Sequence, residues 1–210
     1  MALKDIELRI LGCLVEKERT TPDQYPLTSN SLVLACNQKT NRDPVANYAH
    51  VDIEHALQNL RDKGYVETVR AMNERAKKHK HKMRNSLDIS EKALAVLAVL
   101  MLRGKQTPGE LRTRTERYTH FMSVEDVEKT LGQLESYSPP LVKNFGRGPG
   151  QSQDRWGHLL GGTEEMQRPR VRAIPSSKNN EFEALKEEVE QLKTQLAYLY
   201  EQLNIETPPR

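Results

Sequence analysis

His79 and His81 offer two imidazoles one residue apart, the kind of ligand a metal ion takes. Lys78, Lys80 and Lys82 interleave with them, however, and that positive charge opposes a cation; no cysteine pair lies nearby. Both therefore read as solvated histidines of a loop. The chain has no Gly-x-x-x-x-Gly-Lys-Ser/Thr phosphate loop and no His-Glu-x-x-His zinc motif. Gly146-Arg147-Gly148-Pro149-Gly150 has the glycines to approach a phosphate, but it falls in an expected hairpin, with no helix N-terminus behind it. Serine, histidine and acidic residues are present without an order that makes a triad. Cys13 and Cys36 are too few for a disulfide framework, and Cys13 sits in a helical apolar pattern, as a buried free thiol does. The expectation is a protein that is not an enzyme, with no catalytic residue, metal site or cofactor.

Charge is the remaining chemistry. Arg70, Arg75, Lys77, Lys78, Lys80, Lys82 and Arg84 crowd one stretch against the single acid Glu74. Cations packed in this way neutralise phosphates and release counterions from a nucleic acid. A weaker set follows at Arg112, Arg114 and Arg117, then Arg147 and Arg155. The segment Asn37-Gln38-Lys39-Thr40-Asn41-Arg42 adds amides and two cations that suit phosphates or base edges. The whole chain carries a formal charge of only +3, so this clustering says more than the total.

These residues need elements to hold them. Ile6, Ile10, Leu11, Leu14 and Val15 recur at helical spacing. Thr28 is placed to cap a second helix, Ser29 to Asn37, and Gln38 to Asn47 reads as ordered turns. A third helix is expected from about His50 to Lys63, with Ile53, Ala56, Leu57 and Leu60 inward and Gly64 as its left-handed stop. Tyr65 to Arg70 alternates as a half-buried strand does, and a basic loop leads to a return strand near Lys82 to Leu87. The order then recurs: Ser90 caps a helix ending at Gly104, and Thr107-Pro108-Gly109-Glu110 is a capping box. Val124, Val127, Leu131 and Leu134 mark a third helix. Leu141 to Phe145 and Trp156 to Leu160 make a second hairpin.

Ile53-Glu54-x-x-Leu57-x-x-Leu60 parallels Val127-Glu128-x-x-Leu131-x-x-Leu134, and Thr28-x-x-x-Leu32 parallels Thr107-x-x-x-Leu111. Three helices and a hairpin, twice over, is the winged-helix order, a form of helix-turn-helix. The expected fold is mainly α with small β-hairpin wings (α+β): two tandem winged-helix domains, residues 1–88 and 89–162, then a linker, 163–180. Phe182, Leu185, Val189, Leu192, Leu196, Leu199 and Leu203 follow in steps of three and four, a heptad seam within a C-terminal coiled-coil-like helix, 181–206. A helix this short must bury its seam, either in a homodimer or against the winged helices.

Three longer motifs carry a family resemblance. Leu11-Gly12-Cys13-Leu14-Val15-Glu16-Lys17 with Thr20 to Leu27, Ala35 to Val45, and Leu102 to Arg112 are similar to the bacterial YceH-like family of uncharacterised proteins. The resemblance implies a tandem winged-helix fold and brings no established activity. The lysine-rich segment Asn73 to Lys82 departs from the family.

No segment approaches the ~18 apolar residues of a membrane span, and the N-terminal residues lack the succession of a signal peptide. A cytoplasmic protein is expected. Two functions suit this reading. One is a DNA-binding protein of transcription-regulator or nucleoid-associated type, gripping double-stranded DNA through Lys39, Arg42, Arg75, Lys77, Lys78, Lys80, Lys82, Arg84, Arg112, Arg114 and Arg147. The other is a scaffold for protein partners. Carboxylates on both third helices (Asp52, Glu54 and Asp62; Glu125, Asp126, Glu128 and Glu135) oppose the first, since they repel a phosphate-lined groove. A third reading makes the lysine run a solubilising loop. The Cys36 to Val45 motif has a structural reading too, holding a long connection in place.

Overall fold

The computed structural model describes residues 2–70, 76–148 and 150–161. Arg75 and the heptad residues Phe182, Leu185, Val189, Leu192, Leu196, Leu199 and Leu203 lie outside them. The described residues form a mainly helical α+β fold in one compact unit.

In the first half, α1 (Asp5–Thr20) leads through a single 3-10 turn to β1 (Leu27–Thr28) and α2 (Ser29–Cys36). The Thr28 hydroxyl accepts from Ser31 N–H at 3.2 Å, the cap its side chain suits. α3 (His50–Asp62) buries Ile53, Ala56, Leu57 and Leu60, the face its period dictates. Gly64, at φ 76°, turns the chain out of α3 while Tyr65 N–H returns to Leu60 O at 2.9 Å, so a left-handed residue ends the helix as expected. β2 (Val66–Val69), β3 (Lys78–His81) and α4 (Met83–Leu87) complete this half.

One expectation fails here. The return strand is Lys78–His81 and not Lys82 to Leu87, so lysines assigned to a loop sit in a strand. Its inward positions are histidines, which read as polar and hide the period-two pattern.

The second half repeats the order with α5 (Glu91–Arg103), α6 (Pro108–Thr115), α7 (Val124–Glu135), β4 (Val142–Asn144) and β5 (Trp156–His158). Thr107 and Glu110 form the capping box of α6, bonded reciprocally at 3.2 and 2.9 Å. The two halves agree pair by pair. In the antiparallel sheet β1-β3-β2, His79 lies between Leu27 and Thr68, and Val66 faces His81. In the second, Trp156 lies between Gln106 and Asn144, and Val142 faces His158. The strand before each second helix is only one or two residues long, which is why periodicity does not reveal it.

α5 is the shared centre. Every residue from Ala93 to Leu102 is buried, so the helix has no polar face to give to water. α1 packs along it closely enough that a Cβ on Gly12 would come within 2.8 Å of Leu102 Cγ. Asp43 N–H donates to Leu102 O at 2.9 Å, and the Tyr118 hydroxyl donates to Glu16 at 3.2 Å, tying the halves with polar bonds as well.

Candidate nucleic-acid interface

β3 sorts its residues by side. The His79 ring is 1% exposed, with Nε2 at 3.1 Å from Ser29 Oγ and Nδ1 at 3.1 Å from Thr68 Oγ1. Burial pulls its pKa below the ordinary histidine value. His81 Nε2 lies 3.0 Å from Glu18 Oε2, and its backbone N–H donates to the Tyr25 hydroxyl at 2.9 Å. The bond between the His81 ring and Glu18 holds that carboxyl below the usual carboxylate range. Neither histidine is the solvated loop residue expected. Both are inward-facing members of a strand, His79 bonded through both ring nitrogens to hydroxyls and His81 through Nε2 to a carboxylate, and among the described residues no group of three His, Cys, Asp or Glu is placed to hold a metal.

Lys78 and Lys80 alternate with those histidines and are half-buried, while Lys77 and Lys82 flank the strand exposed. Lys80 pairs with Glu67 across the sheet at 3.5 Å, and Arg84 with Glu91 at 2.5 Å. Such surface pairs are worth ~0–1 kcal/mol and yield readily to a phosphate. β3 therefore fixes a row of cations that a mobile loop would scatter.

A cleft opens on the His79 side of the strand, walled by Ser29 and Asn30 from the start of α2, His50 and Arg61 from α3, and Lys77. Lys80, Lys82 and Arg84 line a separate pocket with Glu18, Glu67 and Glu91. Among the described residues, Glu54 is the one carboxylate that lines the cleft. Spacing puts His50, Glu54 and Arg61 on one flank of α3, so this wall was legible from the helix period, although the cleft itself was not. Arg61 is held there by Gln58 Oε1 at 2.5 Å and Thr68 Oγ1 at 3.3 Å. The second half has the matching cleft, lined by Pro108, Val124, Glu128, Arg147 and Trp156 among others. It lacks the histidine and arginine that α3 contributes to the first.

The other expected contacts divide. Lys39 is exposed in the connection after α2. Arg42, expected beside it, is corrected to a buried structural residue. Its side chain is 0% exposed and bonds both oxygens of Glu16 at 2.5 and 3.2 Å. It also donates to Ala35 O, Asn41 O and Gln38 Oε1. Burial opposes the Arg42 charge, but the bond to Glu16 outweighs it and pushes the pKa up. Arg9 does similar work, donating to Cys36 O at 3.2 Å and Pro44 O at 2.5 Å. The structural reading of the Cys36 to Val45 motif thus fits both arginines, and Cys13 and Cys36 are buried free thiols.

On α6, Arg112 donates to the carbonyls of Phe121 and Met122 at 3.4 and 3.3 Å, and Arg114 pairs with Glu110 at 3.5 Å. Arg147 pairs with Asp154 at 3.1 Å. The second half thus keeps its arginines largely occupied. Among the described residues, no helix is long and apolar enough to cross a membrane.

The chain is similar to a set of known proteins. The family described as "Protein of unknown function, DUF480" matches residues 3–151. A UPF0502 protein of Geobacter sulfurreducens is 42% identical over 197 residues, covering 94% of this chain and 90% of its own. A UPF0502 protein of Aliivibrio fischeri is 41% identical over 208 residues, covering 95% of each chain.

Proposed function

We propose that this chain, which belongs to the uncharacterised YceH-like DUF480 family of UPF0502 proteins, is a non-enzymatic DNA-binding protein of regulator or nucleoid-associated type. In this reading the halves are tandem winged-helix domains, 1–88 and 89–162. The linker 163–180 leads to a C-terminal heptad helix, 181–206, through which two copies associate. The first domain grips the phosphate backbone of double-stranded DNA through Lys39, Lys77, Lys78, Lys80, Lys82 and Arg84, with Arg61 and His50 added to that surface.

The observation that carries the reading is the alternation in β3. Buried His79 and His81 anchor the strand, so its lysines stand at fixed spacing, with Lys77 at the cleft between α2 and α3 and Lys80 and Lys82 at a neighbouring pocket. The pair-by-pair agreement of the two halves supports the tandem winged-helix assignment. The test is anisotropy of a labelled random-sequence duplex at several salt concentrations. Each phosphate neutralised contributes ~0.9 to the slope of log K against log salt. Wild type is expected to bind with a steep slope, and a variant with Lys77, Lys78, Lys80 and Lys82 all changed to Glu is expected to lose binding. Absence of wild-type binding at low salt refutes the proposal.

A second reading, a scaffold for protein partners, is favoured by one feature. α7 exposes Glu125, Glu128 and Glu135 where a groove-reading helix would repel phosphate. It applies to the second half, which also keeps its arginines paired.

A further inference from the structure

The described residues expose four large apolar side chains strongly: Leu34 at 73%, Val45 at 43%, Val51 at 56% and Met122 at 80%. Three of them, Leu34, Val45 and Val51, belong to the end of α2, the connection after it and the start of α3. The side chain of Asn37, the C-terminal cap of α2, clamps the backbone of Tyr48, two residues before α3. Its amide donates to Tyr48 O at 2.9 Å and its carbonyl accepts from Tyr48 N–H at 2.8 Å. Leu34 lies one turn before that clamp, Val45 between its ends and Val51 in the first turn of α3. The clamp holds the end of α2 against the start of α3, the two helix ends that carry Leu34 and Val51.

The charge around Val51 is set by the turn of α3. With Ile53, Ala56, Leu57 and Leu60 inward, the ridge farthest from the core carries Val51, His55, Gln58 and Asp62. Its first two turns therefore hold no carboxylate. Glu54 is half-buried on the cleft side, Asp52 lies on the opposite flank, and Asp62 is at the far end. The carboxylates counted against DNA from the sequence are mostly off the ridge. In α7 the corresponding positions are Glu125, where Val51 stands, and Lys129. The halves thus differ at the residue a groove would meet first.

Both helices also contribute to the cation-lined cleft: Asn30 of the cleft wall is one turn from Leu34, and His50 is next to Val51. A ridge that opens with Val51 and holds no acid in its first two turns, flanked by cations on one side, fits the major groove at an A·T pair. There thymine presents its C5 methyl to apolar side chains. We infer that the first half reads thymine methyl groups in the major groove through Val51 at the start of α3, together with Leu34 of α2. This inference rests on the DNA-binding reading above and adds base preference to it.

The test compares an alternating A·T duplex with the same duplex made with deoxyuridine, which pairs identically but lacks the C5 methyl. Anisotropy titrations use the full chain at matched salt, with wild type, Val51→Ala and Leu34→Ala. Wild type is expected to prefer the thymine duplex by about fourfold or more, as burying one methyl-sized group gives. Val51→Ala should lose most of that preference while keeping its salt-dependent affinity for the deoxyuridine duplex. Both side chains are exposed, so the substitutions leave the core intact, which unchanged melting confirms. Equal wild-type affinity for the two duplexes overturns the methyl reading and leaves DNA binding standing. Affinity for neither duplex at low salt overturns both. Undiminished discrimination by Val51→Ala and Leu34→Ala overturns the residue assignment. Equal duplex affinities together with a fall in sedimentation mass on Val51→Ala would make these helix ends a protein interface instead.

Discussion

Changing Arg42 to methionine tests whether this arginine holds the fold or holds DNA. The guanidinium is 0% exposed and Glu16 opposite it 7%, so the pair is shielded from water. Methionine fills much of the volume but leaves the Glu16 carboxylate with the Tyr118 hydroxyl at 3.2 Å and none of the charge that balanced it. Ala35 O loses both of its Arg42 donors as well. Orphaning a buried charge costs ~3–5 kcal/mol. For a unit of this size each kcal/mol moves Tm by ~2–4 °C, so the expected drop is about 6–20 °C. The same loss should appear as a lower urea midpoint at unchanged slope. Because the two residues act as one, adding Glu16→Gln should restore a substantial part of the stability that Arg42→Met removes. A variant within ~1 kcal/mol of wild type, a threshold set by the modest cost of an exposed pair, refutes the buried-pair argument. So does a double variant that loses the sum of the single losses. Intact melting with weakened duplex affinity would return Arg42 to the phosphate-binding set.

Two further outcomes follow from particular contacts. Burial depresses the His79 pKa, so as pH falls through ~6.5 the unfolded chain takes up that proton first. Stability from this group is complete above that value and declines as pH drops toward the lower folded one. Urea midpoints measured from pH 8 to pH 5 should fall for wild type and fall less for His79→Gln; equal slopes refute the assignment. Gly12→Ala forces a methyl to 2.8 Å from Leu102 Cγ and is expected to cost ~1–3 kcal/mol in thermal melts, with Leu102→Ala partly compensating. A Gly12→Ala protein as stable as wild type would show that α1 and α5 do not approach as closely as described.

What was legible in the sequence was local. Thr28, Ser90 and Thr107 announce their helices because a hydroxyl at the N-cap bonds an N–H three residues on, and Gly64 announces an end because it takes a positive φ. The paired spacing of Ile53, Leu57 and Leu60 with Val127, Leu131 and Leu134 survives as matching buried faces. What was hidden was nonlocal. Arg42 looks like a surface cation until Glu16, 26 residues away, meets it across α2. β1 and the bridge at Gln106 exist only through partners some 50 residues later. His79 and His81 read as solvent-facing because imidazole is polar, whereas Ser29, Thr68 and Glu18 supply the bonds that let it be buried. The half-burial of Glu54 on the cleft side was hidden because a list of acidic residues does not say which flank of α3 each occupies.

The apolar stretch from Ala93 to Leu102 has a consequence for how the molecule comes apart. In chains of repeats that touch only at their ends, each repeat can melt on its own, and a cut between them frees two working pieces. Here α5 opens the second half yet lies along α1 with Gly12 against Leu102, and every one of those ten residues is buried. A break at residue 88 would strip one side of α5 bare and uncover α1 with it. The duplication visible in the sequence is therefore not a seam for dissection. The two copies are expected to melt as one cooperative unit, because the helix that opens the second is also packed along the first.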